Sequence, residues 1–331
     1  MRRIVYFDND VSFLGSASVG GREEKRGPLG ELFDFCDETD RFGMKTWEAA
    51  EAEIARLSLN LAMKKTKLSP ENLDVLLAGD LENQCVASSS GLYSFGIPYI
   101  GLYSACSTAT EALFILSTLI SSGFIKKGAT VTTSHNSAAE RQFRTPIEYG
   151  GQRSPTSQWT ATAGGSFILG SGGKIKIKEG LIGKIVDGLT TDAMNMGAAM
   201  ARAAFDTIYT YFSISGEKID NFDLIITGDL GKYGSQILEE LLEKEIPGAE
   251  KIHEDCGNLL YDESKQDCHA GASGCGCSAS VLSSYFLPKM EKGELKNILF
   301  LSTGALMSPS SVLQGENILG IAPLLRFSIG E

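Results

Sequence analysis

The 331 residues predict an α/β protein built from two related halves. Short apolar runs bounded by Gly and Asp alternate with amphipathic stretches at helical spacing, the pattern of a sheet covered by helices. One run recurs: Leu76-Leu77-Ala78-Gly79-Asp80-Leu81 is matched by Ile225-Ile226-Thr227-Gly228-Asp229-Leu230. Ala105-Cys106-Ser107 and Gly276-Cys277-Ser278 follow these runs in the same order, each leading into apolar residues and later a strand. That shared order points to duplication, divided near Gly180 into residues 1–180 and 181–331, with the halves sharing one core.

Taken along the chain, Trp47, Ala50, Ile54, Leu57 and Leu61 recur every three or four residues behind Thr46, an N-cap residue, and predict a helix ending before Pro70. Residues 73–78, 129–133, 166–169, 224–227 and 298–302 are apolar runs of strand length. A helix is expected from Asp192 through Met196, Met200, Ala203 and Ala204, with its methionines in the core, and another from Ser235 through Leu238 and Leu242 to Pro247.

With 43% hydrophobic and 21% charged residues, the chain has enough apolar material for a large core. Its 41 acidic residues against 30 basic ones give a net charge of −11, which argues against nucleic acid as a partner. No apolar run approaches the ~20 residues of a membrane span, and residues 1–10 lack a signal-peptide core, so synthesis and retention on the cytosolic side are expected. The seven cysteines are an odd, scattered set, which favours free thiols. His253, Cys256, Cys268, His269, Cys275 and Cys277 bunch together, but only His253-x-x-Cys256 and Cys275-x-Cys277 approach zinc spacing, so no resident metal is expected.

Cys106 stands among small residues where an apolar helix begins, running through Leu116, Leu119 and Ile120 to Gly123. A helix start lowers a thiol's pKa and can hold a carboxylate; equally, a small residue is tolerated where helix meets sheet. Here Ala105-Cys106-Ser107 resembles the nucleophile elbow of ketoacyl synthases, and Ala161-Thr162-Ala163-Gly164-Gly165-Ser166-Phe167-Ile168-Leu169-Gly170 resembles their small-residue loop and following strand. Over residues 11–329 the chain resembles the stage V sporulation protein AD family, thiolase-like proteins of endospore formers. The echoes are Tyr103-Ser104-Ala105-Cys106-Ser107-Thr108-Ala109, Ser134-His135-Asn136, and Asp255-Cys256-Gly257 running to Tyr261-Asp262.

The resemblance implies the thiolase-like duplicated fold of five layers, α-β-α-β-α. It also draws attention to departures. The His and Asn that form the oxyanion hole of condensing enzymes fall on Gly228 and near Cys275, and no cysteine follows Ser302. The family implies a non-catalytic role in spore transport of dipicolinic acid, a planar dicarboxylate travelling with calcium, beside integral membrane subunits at the spore inner membrane, and the superfamily implies a homodimer. The ligand would meet Cys106, Ser107, Cys275, a protonated His135, and Arg144 or its neighbours Arg141 and Arg153. Asp80 and Asp229 end the related strands, and either bind calcium brought with the ligand or cap turns. The competing readings are an acyl-transferring enzyme of the ketoacyl synthase III class and a structural partner with a vestigial pocket.

Overall fold

The computed structural model describes residues 3–143 and 153–329. Its main sheet is made of two matching series of strands. From the outer edge inwards, the first half contributes Tyr99–Gly101, Val75–Gly79, Gly128–Ser134, Ala163–Gly170 and Ser12–Gly20. The second half contributes His253–Asp255, Leu224–Thr227, Asn297–Leu301, Leu324–Ile329 and Ile175–Leu181 in the same spatial and chain order, so its first strand begins before Gly180, where the sequence placed the division. In each series the outer three strands are parallel and the inner two antiparallel. The series meet where Ser12 pairs with Lys176. The recurring Gly-Asp-Leu therefore ends equivalent strands, as the duplication requires.

The helices repeat too. Trp47–Thr66 and Met196–Ser215, 20 residues each, join the first and second strands of their halves. Thr108–Ser121 and Cys275–Val281 both follow the third strand and lie back to back between the two halves of the sheet. They form the middle layer, in one apolar core with Phe167, Phe286, Phe300 and Phe327. Trp47–Thr66 with Val86–Leu92 covers one outer face, and Met196–Ser215 with Gly231–Glu245 covers the other. The layers are α-β-α-β-α.

Close seating of the middle layer depends on glycine. A Cβ on Gly276 would lie 2.1 Å from the Ala163 carbonyl oxygen, and one on Gly165 would lie 2.5 Å from the Ala279 carbonyl oxygen. The small-residue stretches on helix and strand thus face each other.

Two helix starts differ from the sequence expectation, for tertiary reasons. The helix expected at Asp192 begins at Met196, because Asp192 closes a local turn on the Met194 amide (2.9 Å) and Asn195 supplies the cap. The helix expected at Ser235 begins at Gly231, because Asp255 accepts from the Leu230 (2.8 Å) and Gly231 (2.9 Å) amides. Three inner strands, Ser12–Gly20, Ile175–Leu181 and Leu324–Ile329, were not among the expected runs. No helix among the described residues is long and apolar enough to cross a membrane, and no group of His, Cys, Asp or Glu among them is placed to hold a metal ion.

Candidate functional site

A turn closed by hydroxyls presents Cys106. Ala105 is left-handed (φ +48°), and the Ser107 hydroxyl turns back on the Ser104 carbonyl (2.7 Å) and hydroxyl (2.8 Å). Thr108 closes the turn by donating to the Ala105 carbonyl (2.7 Å) and accepting from the Ser104 amide (3.0 Å). Regular helix starts only at Thr108. At this helix start, where N–H groups were expected to be able to hold a carboxylate, the Ser107 and Thr108 amides donate to the Ser104 and Ala105 carbonyls. Ser107 is fully buried and shapes the turn rather than lining the site.

Cys106, 5% exposed, borders a cleft of about 410 Å³, open mouth included. Its walls come from both halves: Leu81, Tyr103 and Phe143 from the first, Met196, Ala305 and Met307 from the second. Among the described lining residues Glu140 is the one charged side chain, and it accepts from Thr160 (3.0 Å). Met196, expected in the core, is a wall of this cleft, whereas Met200 is core.

Behind Cys106 lies Asp229. Its carboxyl is fully buried, hydrogen-bonds the Cys106 thiol, and accepts from the Gly274 amide (2.8 Å) and the Thr303 hydroxyl (2.8 Å). Burial pushes it up to about 7 against these hydrogen bonds, with the Asp255 charge adding to the rise. Gly228 carries no side chain towards this site, and a Cβ there would lie 2.8 Å from the Ser302 backbone. Cys275 is also close to Cys106; its thiol donates to the Thr133 carbonyl (2.9 Å), and burial pushes it well up.

The other expected ligands sit elsewhere. Asp80 accepts from the Glu82 amide (2.8 Å) and from the Ser88 amide (2.8 Å) and hydroxyl (2.5 Å), so it caps the Val86–Leu92 helix. His135 is turned away: its Nε2 meets the Asp40 carbonyl (2.9 Å), its Nδ1 accepts from the Ser137 amide (3.2 Å), and its ring packs on Trp47. Burial lowers its pKa, which opposes the protonated form expected of it. Arg141 pairs with Glu48, and Arg153 stacks over Trp159 and pairs with Asp267 (3.1 Å); neither lines the cleft. Arg144 lies outside the described residues. The structure thus brings Cys106, Asp229 and Cys275 together and leaves Ser107, Asp80 and His135 in structural roles.

Sequence reasoning missed Glu140, Phe143, Ala305 and Met307. Glu140 and Phe143 come from the helix Asn136–Phe143, Ala305 from the short strand Gly304–Leu306 and Met307 from just after it, and nothing local marks them as neighbours of Cys106.

Comparison with known proteins agrees with this architecture. Cerulenin-bound OleA of Xanthomonas campestris superposes with a TM-score of 0.61 at 13% identity, over 96% of this chain and 99% of that one. The 3-oxoacyl-[acyl-carrier-protein] synthase III of Aquifex aeolicus VF5 gives 0.57 at 15% identity, over 96% and 99%. These likenesses establish the thiolase and ketoacyl synthase III fold. In sequence, the Stage V sporulation protein AD of Bacillus subtilis (strain 168) is 39% identical over 317 residues, 96% of this chain and 94% of that protein. Residues 1–327 match the family described as Stage V sporulation protein AD, and the chain, with its thiolase-like halves closed around Cys106, belongs to that family.

Proposed function

We propose that the protein is a non-catalytic component of the spore dipicolinic acid transport assembly, holding dipicolinic acid or its calcium complex in the Cys106 cleft. The observation that carries this reading is the company Cys106 keeps. A condensing cysteine needs polarised donors aimed at a thioester oxygen. Here the thiol faces the Asp229 carboxyl and the buried Cys275 thiol, whose own hydrogen is directed to Thr133. An ionised Asp229 opposes negative charge beside it, whereas the apolar walls suit a flat ring. Since Glu140 is the charged lining residue described, a dianion gains from arriving with calcium, which offsets repulsion from Glu140 and Asp229.

With no helix fit to span a bilayer among the described residues, attachment to integral membrane subunits at the spore inner membrane is peripheral in this reading. The strand Tyr99–Gly101 is an exposed edge of the sheet with Tyr99 and Ile100 each 40% exposed, which suits pairing with a second copy.

Thermal melting with dipicolinic acid, its calcium complex and acetyl-CoA tests the reading. A ligand confined to the native state raises Tm, by RT ln(1 + [L]/Kd) in free energy. Dipicolinic acid or its complex is expected to raise Tm, and acetyl-CoA to leave it unchanged with no acyl-enzyme in the mass spectrum. Acylation of Cys106 with turnover, and no shift by dipicolinate, would favour the ketoacyl synthase III reading, for which a carboxyl titrating about 7 beside a cysteine is the supporting feature.

A further inference from the structure

The strands that carry the cleft at one end carry a different chemistry at the other. Leu81 follows Val75–Gly79, the helix Asn136–Phe143 follows Gly128–Ser134, and Ala305 and Met307 follow Asn297–Leu301. Asp74, Lys127 and Lys296 stand immediately before the same three strands, and so mark the opposite pole of the molecule.

Hydrogen bonds gather five segments at this pole. Asp74 accepts from the Lys126 (2.8 Å) and Lys127 (3.0 Å) amides, and Asn9 donates to the Ser121 carbonyl. Asp10 accepts from the Gly172 amide (2.8 Å) and from Lys176 (2.5 Å), while Lys174 reaches the Glu291 carbonyl. Residues 8–10, 64–74, 121–127, 171–176 and 289–296 together hold ten lysines against six carboxylates, in a chain whose net charge is −11. The pole is therefore positive on a molecule that is otherwise acidic. Lys65 pairs with Asp34 (2.6 Å) and Lys176 with Asp10. Lys64, Lys67, Lys126, Lys127, Lys292 and Lys296 form no salt bridge among the described residues.

Apolar surface accompanies these charges. Phe124, just past the Thr108–Ser121 helix, is 80% exposed. Next to the Ser12–Lys176 pair that joins the halves, a groove of about 770 Å³, open mouth included, runs over Phe13, Leu14, Ile175 and Leu287. Lys65, Glu291 and Lys292 line it as well. A positive pole suits either an acidic protein face or an anionic bilayer. None of its ten cations is an arginine, the residue whose planar fork docks on protein carboxylates. Lysine point charges spread over five segments, with an exposed ring among them, fit a fluid layer of phosphates over hydrocarbon. We propose that this pole is a docking surface for an anionic phospholipid bilayer, with Phe124 entering the headgroup layer and the Cys106 cleft facing water on the far side.

This surface goes beyond attachment through membrane subunits, and it rests on no assignment of the cleft's ligand. Sedimentation of the full chain with vesicles, no other protein present, tests it. Phosphatidylcholine vesicles with about one third phosphatidylglycerol should bind on the order of tenfold more protein than phosphatidylcholine alone, and the excess should vanish at about 0.5 M salt. Lys126→Glu combined with Lys127→Glu should lower that binding on the order of tenfold, with an unchanged Tm to show that the variant is folded. In Phe124→Trp, vesicles should shift the added emission to the blue; an unshifted emission would overturn the insertion. Equal binding to both vesicle types, undiminished binding by the charge-reversed variant, or release by free glycerol phosphate would overturn the bilayer surface. A wild type that ignores vesicles but binds polyglutamate would assign the pole to an acidic protein face instead. Calorimetric titration with dipicolinic acid keeps the two ideas apart. Vesicle binding without dipicolinic acid binding upholds the surface and counts against the cleft reading, and the reverse result overturns the surface alone.

Discussion

A thiol at a helix start and a buried carboxyl are each ordinary; joined, they decide what Cys106 can do. Asp229 is held by the Gly274 amide and the Thr303 hydroxyl, so it cannot swing away from the sulfur. Binding in this cleft needs shape and a tolerable electrostatic field, not a thiolate. Cys106→Ala keeps the turn and the apolar surface, and should therefore weaken dipicolinic acid binding less than Cys106→Asp, which sets a second carboxyl beside Asp229 against a dianion. Calorimetric titration of both variants measures the difference, expected to be about tenfold or more in Kd, equivalent to ~1.4 kcal/mol. Equal affinities would count against a ligand seated on Cys106.

At the level of single elements, the two middle helices show how small residues set geometry. Gly276 sits in the first turn of Cys275–Val281, where its amide donates to Ser134 (3.2 Å) and its Cα faces the strand Ala163–Gly170. Gly276→Ala forces a Cβ to 2.1 Å from the Ala163 carbonyl and 2.6 Å from the Ser134 hydroxyl, so helix and strand must part. Overpacking of this kind costs about 1–3 kcal/mol, and here it also displaces Cys275 from Cys106. Urea denaturation should show that loss. A variant as stable as the wild type would mean the helix can shift freely, which the back-to-back packing opposes.

Over the whole molecule, buried carboxyls tie distant parts together and set the pH response. Glu24 accepts from the Gly21 (3.0 Å) and Thr162 (2.9 Å) amides and bonds Tyr261, joining the N-terminal segment to the second half. Burial raises it from 4.5 to about 7, as it raises Asp229 from 3.8 to about 7. A folded pKa above the unfolded one means the native state binds the extra proton. The stabilisation is full below about pH 4 and is lost as pH rises to about 7, on the order of 3 kcal/mol for each group. Surface carboxylates such as Asp74 and Asp262 are lowered by amide, hydroxyl or lysine partners and act oppositely, their stabilisation fading in acid. Calorimetry should find the highest Tm near pH 5 and a fall towards pH 8. A Tm rising across that interval would contradict neutral buried carboxyls.

What the amino-acid sequence by itself determined is the local grammar: the Thr46-capped helix, the strand at 224–227, the apolar helix behind Cys106, and the doubled Gly-Asp-Leu that reveals the halves. Each is written in a few consecutive residues whose spacing and propensity suffice. The inner strand Ser12–Gly20 was less legible because Ser and Gly suit its close contact with helices and weaken the apolar signal. The helix start at Gly231 was hidden because its cap, Asp255, is distant in sequence. The two aspartates make the boundary plain. Asp80 and Asp229 share the same tripeptide and the same strand end, yet Asp80 turns to the nearby Ser88, while Asp229 is claimed by Gly274, Thr303 and Cys106. Only the tertiary structure decided which became a cap and which stands behind the cleft, because a buried carboxyl goes where donors await it, and those donors come from other parts of the chain.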